Sequence, residues 1–341
     1  MARLVKKLRI LALMHEDLVP PDDLEGYSQE QINEWKTEFD VVQTLQDMGH
    51  TVYKLGARDE LRPLRQAIEA WKPDIVFNLL EEFRGEAIYD QNVVAFLELA
   101  GVPYTGCNPR GLMLARDKAV SKQLLAAHRI RVPRFAVYPI GRKVTRTKRL
   151  QFPLIVKSLM EDSSMGISQA SVVHDDAGLV ERVRIVHQRV HTDAIAEQYI
   201  EGREIYVGVL GNARLIALPP QELVVKNKPD DAPFIATENV KFNVAYQEKW
   251  GVAVKPARSL PDAAIANLLH RSKRIFRILG LSGYARIDFR LNDEGNPYFL
   301  EANPNPEIAQ FEEFAAAAES ADITYEQLLQ RILNLGMQRK I

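Results

Sequence analysis

The residues best able to do chemistry lie toward the C-terminal end. Gly283-Tyr284-Ala285-Arg286-Ile287-Asp288-Phe289-Arg290 is followed, a few residues on, by Tyr298-Phe299-Leu300-Glu301-Ala302-Asn303-Pro304. Side chains two apart in a strand share a face, so Arg286 points with Asp288, and Glu301 with Asn303. A turn centred between Glu294 and Gly295 sets Asp288 across from Glu301 and Arg286 across from Asn303. Two carboxylates so close repel by roughly 1–4 kcal/mol at effective dielectrics of 80 to 20, and they call for a cation between them. Two carboxylates and an amide oxygen are hard donors suited to Mg²⁺, which keeps its other positions for water and phosphate. The alternative is a surface hairpin whose charges pair in water. Ile287, Phe289, Phe299 and Leu300 are apolar enough to anchor the ribbon in a buried sheet instead.

Three further segments carry charge in suggestive places. Lys157 ends the apolar run Leu154-Ile155-Val156 and precedes Glu161-Asp162-Ser163-Ser164-Met165-Gly166-Ile167. A lysine followed by a Ser/Gly loop offers a phosphate one point charge and several backbone N–H donors. Lys118 opens a helix after Arg116-Asp117; taken singly, either lysine is as well suited to solvent. In Glu197-Gln198-Tyr199-Ile200-Glu201-Gly202-Arg203-Glu204, a strand ends at one glutamate and resumes at another. That arrangement suits an adenine amine and a ribose diol, and suits an exposed interstrand loop equally.

The elements that must position these residues follow two grammars. In the first hundred residues, strand-like runs (Leu8–Leu13, Thr51–Leu55, Ile75–Leu79, with Val102–Tyr104 short) alternate with helical patterns at 32–45, 61–71 and 88–99. Alternation of this kind predicts a small parallel sheet with helices on its faces, a Rossmann-like unit ending near Gly111. Beyond it come a helix over Asp117–His128 with Val120, Leu124 and Ala127 on one face, and strands at 134–138, 154–157 and 168–173. A helix follows over Asp175–Val190, with Asp175 as its N-cap. The last third predicts the hairpin Glu204–Leu210/Ala213–Leu218, the Tyr284–Ala302 hairpin, and helices over 263–279 and 325–335. Lys226–Trp250 reads as one long loop, and the basic stretch Gly141–Arg149 as a solvated loop. The 341 residues are 46% apolar and 26% charged, with 44 basic against 45 acidic side chains. Nothing global therefore draws nucleic acid or an anionic membrane. The single Cys107 excludes an intrachain disulfide, and the apolar runs are too short to span a bilayer. These features predict a cytoplasmic protein with neither a nucleic-acid nor a membrane partner.

Taken in order, the segments resemble the ATP-grasp superfamily, and within it the D-alanine–D-alanine ligase group, from about Ile75 to Leu335. The resemblance implies a mixed α/β and α+β chain: a Rossmann-like domain over residues 1–111, and a nucleotide cleft between α+β subdomains at 112–200 and 201–341. It implies ATP and Mg²⁺ (or Mn²⁺) as cofactors. Lys118, Lys157 and Lys249 match phosphate-contacting lysines; Glu197, Tyr199, Ile200, Glu204 and Phe299 match nucleotide-binding positions, Tyr199 and Ile200 through their main chain. Asp288, Glu301 and Asn303 match the metal ligands and Arg286 the oxyanion arginine. Ser164 falls in the central Ser-rich loop, and Glu16 stands where a glutamate contacts the first amino acid. Phe77-Asn78-Leu79-Leu80 with Gly85-Glu86, and Pro103-Tyr104-Thr105-Gly106, are similar to the segments that close the first domain.

The chain also departs from the group. A Thr-Ser-Pro-Gly-Met-like substrate segment is replaced by Pro304-Asn305-Pro306-Glu307-Ile308, and Glu312-Glu313 occupy the carboxylate-binding region. Glu81-Glu82-Phe83 stands in place of a His-Gly pair, and Trp250 in place of a tyrosine. A glutamate there repels a substrate carboxylate and attracts an amine or cation. The resemblance implies an ATP-dependent carboxylate–amine ligase working through an acyl phosphate on small carboxylate and amine substrates of the amino-acid kind, possible also as a homodimer. Two other readings stay open: an ATP-binding protein of the same fold that no longer ligates, and a phosphoryl-transfer enzyme.

Overall fold

β1 (Arg9–His15) carries five consecutive buried residues because it has a parallel neighbour on each side, β2 (Thr51–Ala57) and β3 (Ile75–Asn78). Both faces are covered, as a parallel sheet requires. After α1 (Gln29–Glu34), helix α2 (Lys36–Asp47) packs Val41, Val42 and Leu45 against Ile10, Ala12 and Met14. On the other face α3 (Arg62–Trp71) and α4 (Asp90–Leu99) cover Leu11 and Leu13 with Leu64, Val93, Val94 and Leu97. The short strand expected at 102–104 is a single parallel bridge, Val76 to Tyr104. The structure, a computed structural model, describes residues 7–161, 168–227, 235, 237, 240 and 243–339.

The expected boundary at Gly111 falls inside α5 (Pro109–Arg116), a helix capped by Asn108. Next comes α6 (Lys118–Ala127), capped by the Asp117 carboxylate, which accepts from the amides of Ala119 and Val120. Its inward face differs from expectation. Lys118, Ala119, Ser121, Lys122 and Leu125 are buried, whereas Val120 and Ala127 are exposed. The helix turns two lysines, one turn apart, into the protein.

A four-stranded antiparallel sheet follows, ordered β4 (Phe135–Tyr138), β7 (Ala194–Gln198), β5 (Leu154–Ser158), β6 (Val172–Val173). Helix α7 (Asp176–Arg189) packs Leu179, Val183 and Val186 on Val156, Ala194 and Ala196, and Asp175 caps it as expected. Gln169–Ser171 forms a 3₁₀ turn where a strand was expected. The third sheet runs β11 (Val252–Pro256), β10 (Gln221–Val225), β8 (Arg203–Gly211), β12 (Gly283–Leu291), β13 (Pro297–Pro304), with β9 (Leu215–Ala217) paired to β8. The single loop expected over Lys226–Trp250 instead ends in α8 (Val244–Trp250), capped by Asn243.

Helix α9 (Asp262–Ile278) lies on β8 and β9. The last helices, α10 (Glu313–Glu319) and α11 (Tyr325–Met337), turn back to the first sheet, where Phe314, Leu328, Leu329 and Ile332 share a core with Ile10, Ala12 and Phe77. The C-terminal segment thus closes onto the N-terminal layer, which places residues of both beside the β12–β13 hairpin.

That hairpin reaches its register through a bulge. Phe289 pairs with Phe299 and Asp288 with Glu301, so Leu300 is the extra residue. The turn over Asn292–Asn296 is centred on Glu294, and without the bulge Glu301 would fall opposite Ile287, on the other face. At the start of β12, Gly283 has φ +73° and a Cβ there would stand 2.3 Å from the Gly106 carbonyl oxygen. Gly283→Ala is expected to cost at least about 2 kcal/mol, from left-handed strain plus backbone clash. A urea midpoint that stays at the parent value would show that the two loops separate freely.

Candidate active site

The hairpin brings the four residues of the motif together, with Asp288 across from Glu301 and Arg286 across from Asn303. The Arg286 guanidinium grips the Asp288 carboxylate through two parallel bonds, Nε to Oδ1 and Nη2 to Oδ2, both 2.9 Å. Asn303 Nδ2 donates to the same Oδ2 at 2.9 Å. The guanidinium lies 4.7 Å from the Tyr206 ring centroid and 3.5 Å from a Glu313 oxygen. Burial works against its charge, but Asp288 and Glu313 outweigh it and hold the arginine well above its usual pKa.

This donor set fits a hard divalent cation. Asn303 is engaged through its nitrogen, so its carbonyl oxygen is the end suited to a cation. Among the described residues no group of three or more His, Cys, Asp or Glu side chains converges as a metal site. A cation here would rest on Asp288, Glu301 and the amide oxygen, with water or phosphate completing its shell.

Facing the hairpin is a buried cluster of lysines from α6 and β5. Lys118 Nζ donates to the Glu161 carbonyl at 2.6 Å and stands 4.0 Å from Glu301. Lys122 Nζ, fully buried, is 2.9 Å from Glu197 Oε1 and donates to the Leu300 carbonyl. Lys157 Nζ is 3.3 Å from the same Glu197 oxygen. Burial alone would neutralise Glu197, yet Lys122 and Lys157 override it and keep the carboxylate ionised, its pKa below the usual value. Burial also pushes Lys122 down, to about 8, whereas for Lys157 the Glu197 and Glu301 charges outweigh burial and raise it. Glu197 therefore anchors two lysines. Lys122 was not singled out in the sequence; its position one turn after Lys118 is the signal that finds it.

The remaining expected residues divide. Glu204 is buried, bonded by Arg290 at 2.7 Å and Tyr206 at 2.9 Å, so both its oxygens are engaged. The Tyr199 amide donates to the Pro153 carbonyl at 3.0 Å. Phe299 is fully buried, with Lys122 Nζ 5.6 Å from its ring centroid. Lys249 is exposed on α8, 5.3 Å from the Trp250 ring, and is not in the wall of the cavity of about 940 Å³ that opens beside the hairpin. Glu16 is turned away from that cavity toward Arg58, at 2.7 Å; its neighbours His15 and Asp17 line the wall instead. Ser164 and the loop around it, 162–167, lie outside the described residues.

Next to the hairpin opens a cavity of about 940 Å³, with Arg286 and Asn303 in its wall. Glu38, Glu81, Glu307, Glu312 and Glu313 line it too. Lys36, which could answer them, pairs with Glu312 at 3.0 Å. Glu38 is 6% exposed and its carboxyl is pushed up to about 8, by burial first and then by Glu81 and Glu307. It was overlooked because α2 reads as an ordinary amphipathic helix, although Glu38 falls on the stripe of Trp35, Val42 and Leu45.

A parallel layer followed by two antiparallel sheets, with lysines of one facing carboxylates of the other, defines an ATP-grasp protein. The chain belongs to the D-alanine–D-alanine ligase family of ATP-dependent carbon–nitrogen ligases, whose C-terminal domain (D-ala D-ala ligase C-terminus) matches residues 136–334. It is 33% identical to a D-alanine–D-alanine ligase of Syntrophotalea carbinolica over 92% of this chain and 95% of that one. It is 34% identical to an uncharacterized protein, y4sG, of Sinorhizobium fredii, over 88% and 87% of the two chains. Its fold matches a D-alanine–D-alanine ligase of Bacillus anthracis solved with ATP, at a TM-score of 0.73 and 22% identity over 97% and 98% of the chains. The D-Ala:D-Ser ligase VanG of Enterococcus faecalis matches at a TM-score of 0.71 and 18% identity over 97% and 100%. No helix among the described residues is long and apolar enough to cross a membrane.

Two outcomes follow from these charges. Lys122→Met leaves the buried Glu197 to Lys157 alone and is expected to cost roughly 3 kcal/mol in urea unfolding; a loss below about 1 kcal/mol would assign the anchoring to Lys157. Glu38 is protonated in the folded chain at pH values where the unfolded chain, at the usual 4.5, has released its proton. Its contribution is therefore intact below about pH 4.5 and is lost as pH rises toward 8, on the order of a few kcal/mol in all. Glu38→Gln should match the parent's melting temperature near pH 5 and exceed it increasingly up to pH 8.5. A constant difference across that range would contradict the buried, raised carboxyl.

Proposed function

We propose that this chain is an ATP-dependent ligase that joins a small carboxylate to an amine through an acyl phosphate, with an amine component other than D-alanine. The observation that carries the reading is the one-step register of Asp288 on Glu301 and Arg286 on Asn303, opposite the buried Lys118 and Lys157. Lys118 and Lys157 supply positive charge toward a polyphosphate, and Glu197 and Lys122 hold that charge in place. Asp288, Glu301 and Asn303 would hold Mg²⁺, which would supply Lewis-acid stabilisation of phosphoryl oxygens. Arg286, fixed by Asp288 and by the Tyr206 face, donates to the oxyanion that forms when the amine attacks the activated carboxyl; such a donor contributes roughly 10²–10³ in rate. The amine expels inorganic phosphate and loses its proton as the amide forms.

The carboxylates that replace the family's substrate segment favour an amine partner over an amino-acid carboxylate. Asp288→Asn and Glu301→Gln should each lower Mg²⁺-dependent ADP release by at least about 10² while leaving the circular dichroism and melting profile of a folded chain. ADP release near the parent rate in both variants, with a competent substrate pair present, would remove the metal from this hairpin.

A further inference from the structure

Strand β8 carries a tyrosine that touches both charged ends of the site. Glu204 and Tyr206 are two apart and share a face, and β12 sets Arg290 opposite Glu204 and Asp288 opposite Tyr206. Tyr206 is 3% exposed and packs with Leu223 and Val240. Its hydroxyl donates to Glu204 Oε1 at 2.9 Å, while Arg290 Nη2 donates to Oε2 at 2.7 Å. The Arg286 guanidinium sits over its ring, with Cζ 4.7 Å from the ring centroid, and both residues line the cavity of about 940 Å³. Packing alone asks only for a ring of this size, which phenylalanine would supply. Here the hydroxyl and the ring face each meet a charged group, and those two groups belong to different halves of the chemistry.

We propose that Tyr206 is a positioning residue for both halves of the reaction: its hydroxyl aims Glu204 at the ribose of the nucleotide, and its ring face holds Arg286 where the oxyanion forms. The inference rests on the ligase reading above and deepens it. The end torsion of a glutamate is broad, so an untethered carboxylate turns freely. One donor on each oxygen fixes the plane of Glu204, and each oxygen keeps acceptor capacity for a ribose hydroxyl. Arg286 has a different need. Asp288 already takes donors from its Nε and Nη2, and every further hydrogen bond to the protein removes one from the oxyanion. A ring face attracts the cation without taking any N–H. The contact therefore steadies the guanidinium and leaves its remaining donors to the reacting carbonyl.

The experiment separates the two contacts in the full chain. Tyr206→Phe keeps the ring and removes the hydroxyl. Fluorinated phenylalanines installed at position 206 then drain the ring face of negative charge at nearly constant shape. Binding of ADP with Mg²⁺ is read by calorimetry; ADP release is read by steady-state kinetics with D-alanine paired with D-alanine, D-serine and small primary amines. Tyr206→Phe is expected to weaken ADP and raise KM for ATP roughly 10-fold, with kcat within about twofold of the parent. The fluorinated series is expected to lower kcat stepwise, roughly 3–30-fold in all, with KM for ATP held at the Tyr206→Phe value. Tyr53→Phe, exposed on β2, should change neither. A packing role alone would lower the melting temperature and move KM and kcat together, and that outcome overturns the assignment. Tyr206→Phe binding ADP at the parent's affinity, or a kcat indifferent to fluorination, overturns it too. ADP release by a Tyr206→Phe chain of full ADP affinity would keep the ligase reading and remove Tyr206. A parent chain that releases no ADP with any pair would sink the ligase reading and the Arg286 half with it, while weakened ADP binding in Tyr206→Phe would keep the Glu204 half.

Discussion

Asp288 and Glu301 face each other across one step of an antiparallel ladder, on the enclosed side of a sheet. Two like charges so placed are tolerated only where cations are built around them. Arg286 answers Asp288 from two residues away on the same strand, and Lys118 approaches Glu301 from a helix of another layer. The cationic side carries its own cost, since Lys118, Lys122 and Lys157 are themselves buried, and Glu197 is the anion that makes their burial tolerable. The alternation of sign from Glu197 to the lysines to Glu301 and Asp288 is one electrostatic unit spread over α6, two sheets and a bulged hairpin.

Much of that unit was legible in the sequence because strands impose a period of two. The faces of Arg286/Asp288 and Glu301/Asn303 follow from the pattern alone. The register did too, but for an incomplete reason: the turn is centred on Glu294 rather than after it, and the bulge at Leu300 supplies the missing residue. Nothing in Tyr298–Glu301 announces a bulge, whose requirement is set by Phe299 having to reach Phe289 in the core while Glu301 reaches Asp288 outside it.

Helices were read less well where burial and polarity part company. On α6, apolar spacing pointed to Val120, Leu124 and Ala127, yet the buried face carries Lys118 and Lys122. A hydrophobic stripe is a guide to packing only when the interior is apolar; here the helix packs against a carboxylate. The same failure hid Glu38 on the inner stripe of α2. Segment boundaries suffered from another cause. The first unit was expected to end near Gly111, which sits inside α5, and α10 and α11, late in the chain, complete the core of the first sheet. Neither follows from local pattern, because both depend on how the chain returns in space.

That return decides which residues can select a substrate. The hairpin belongs to one antiparallel sheet and the lysines to α6 and β5, and together they make a charge-balanced cluster. The wall opposite draws on α2, the loop after β3 and the Pro304–Glu313 segment, brought together only because α10 and α11 close on the N-terminal layer. The balance of charge differs between the two sides: among the described residues Glu197, Glu204 and Asp288 each have a cationic partner, whereas the charges that act on Glu38 are those of Glu81 and Glu307. A chain that can place lysines beside Glu197 and arginine beside Asp288 has no physical obstacle to placing one beside Glu38. Glu38 instead keeps its proton, and a neutral carboxyl is what lets it stay buried beside groups of its own sign.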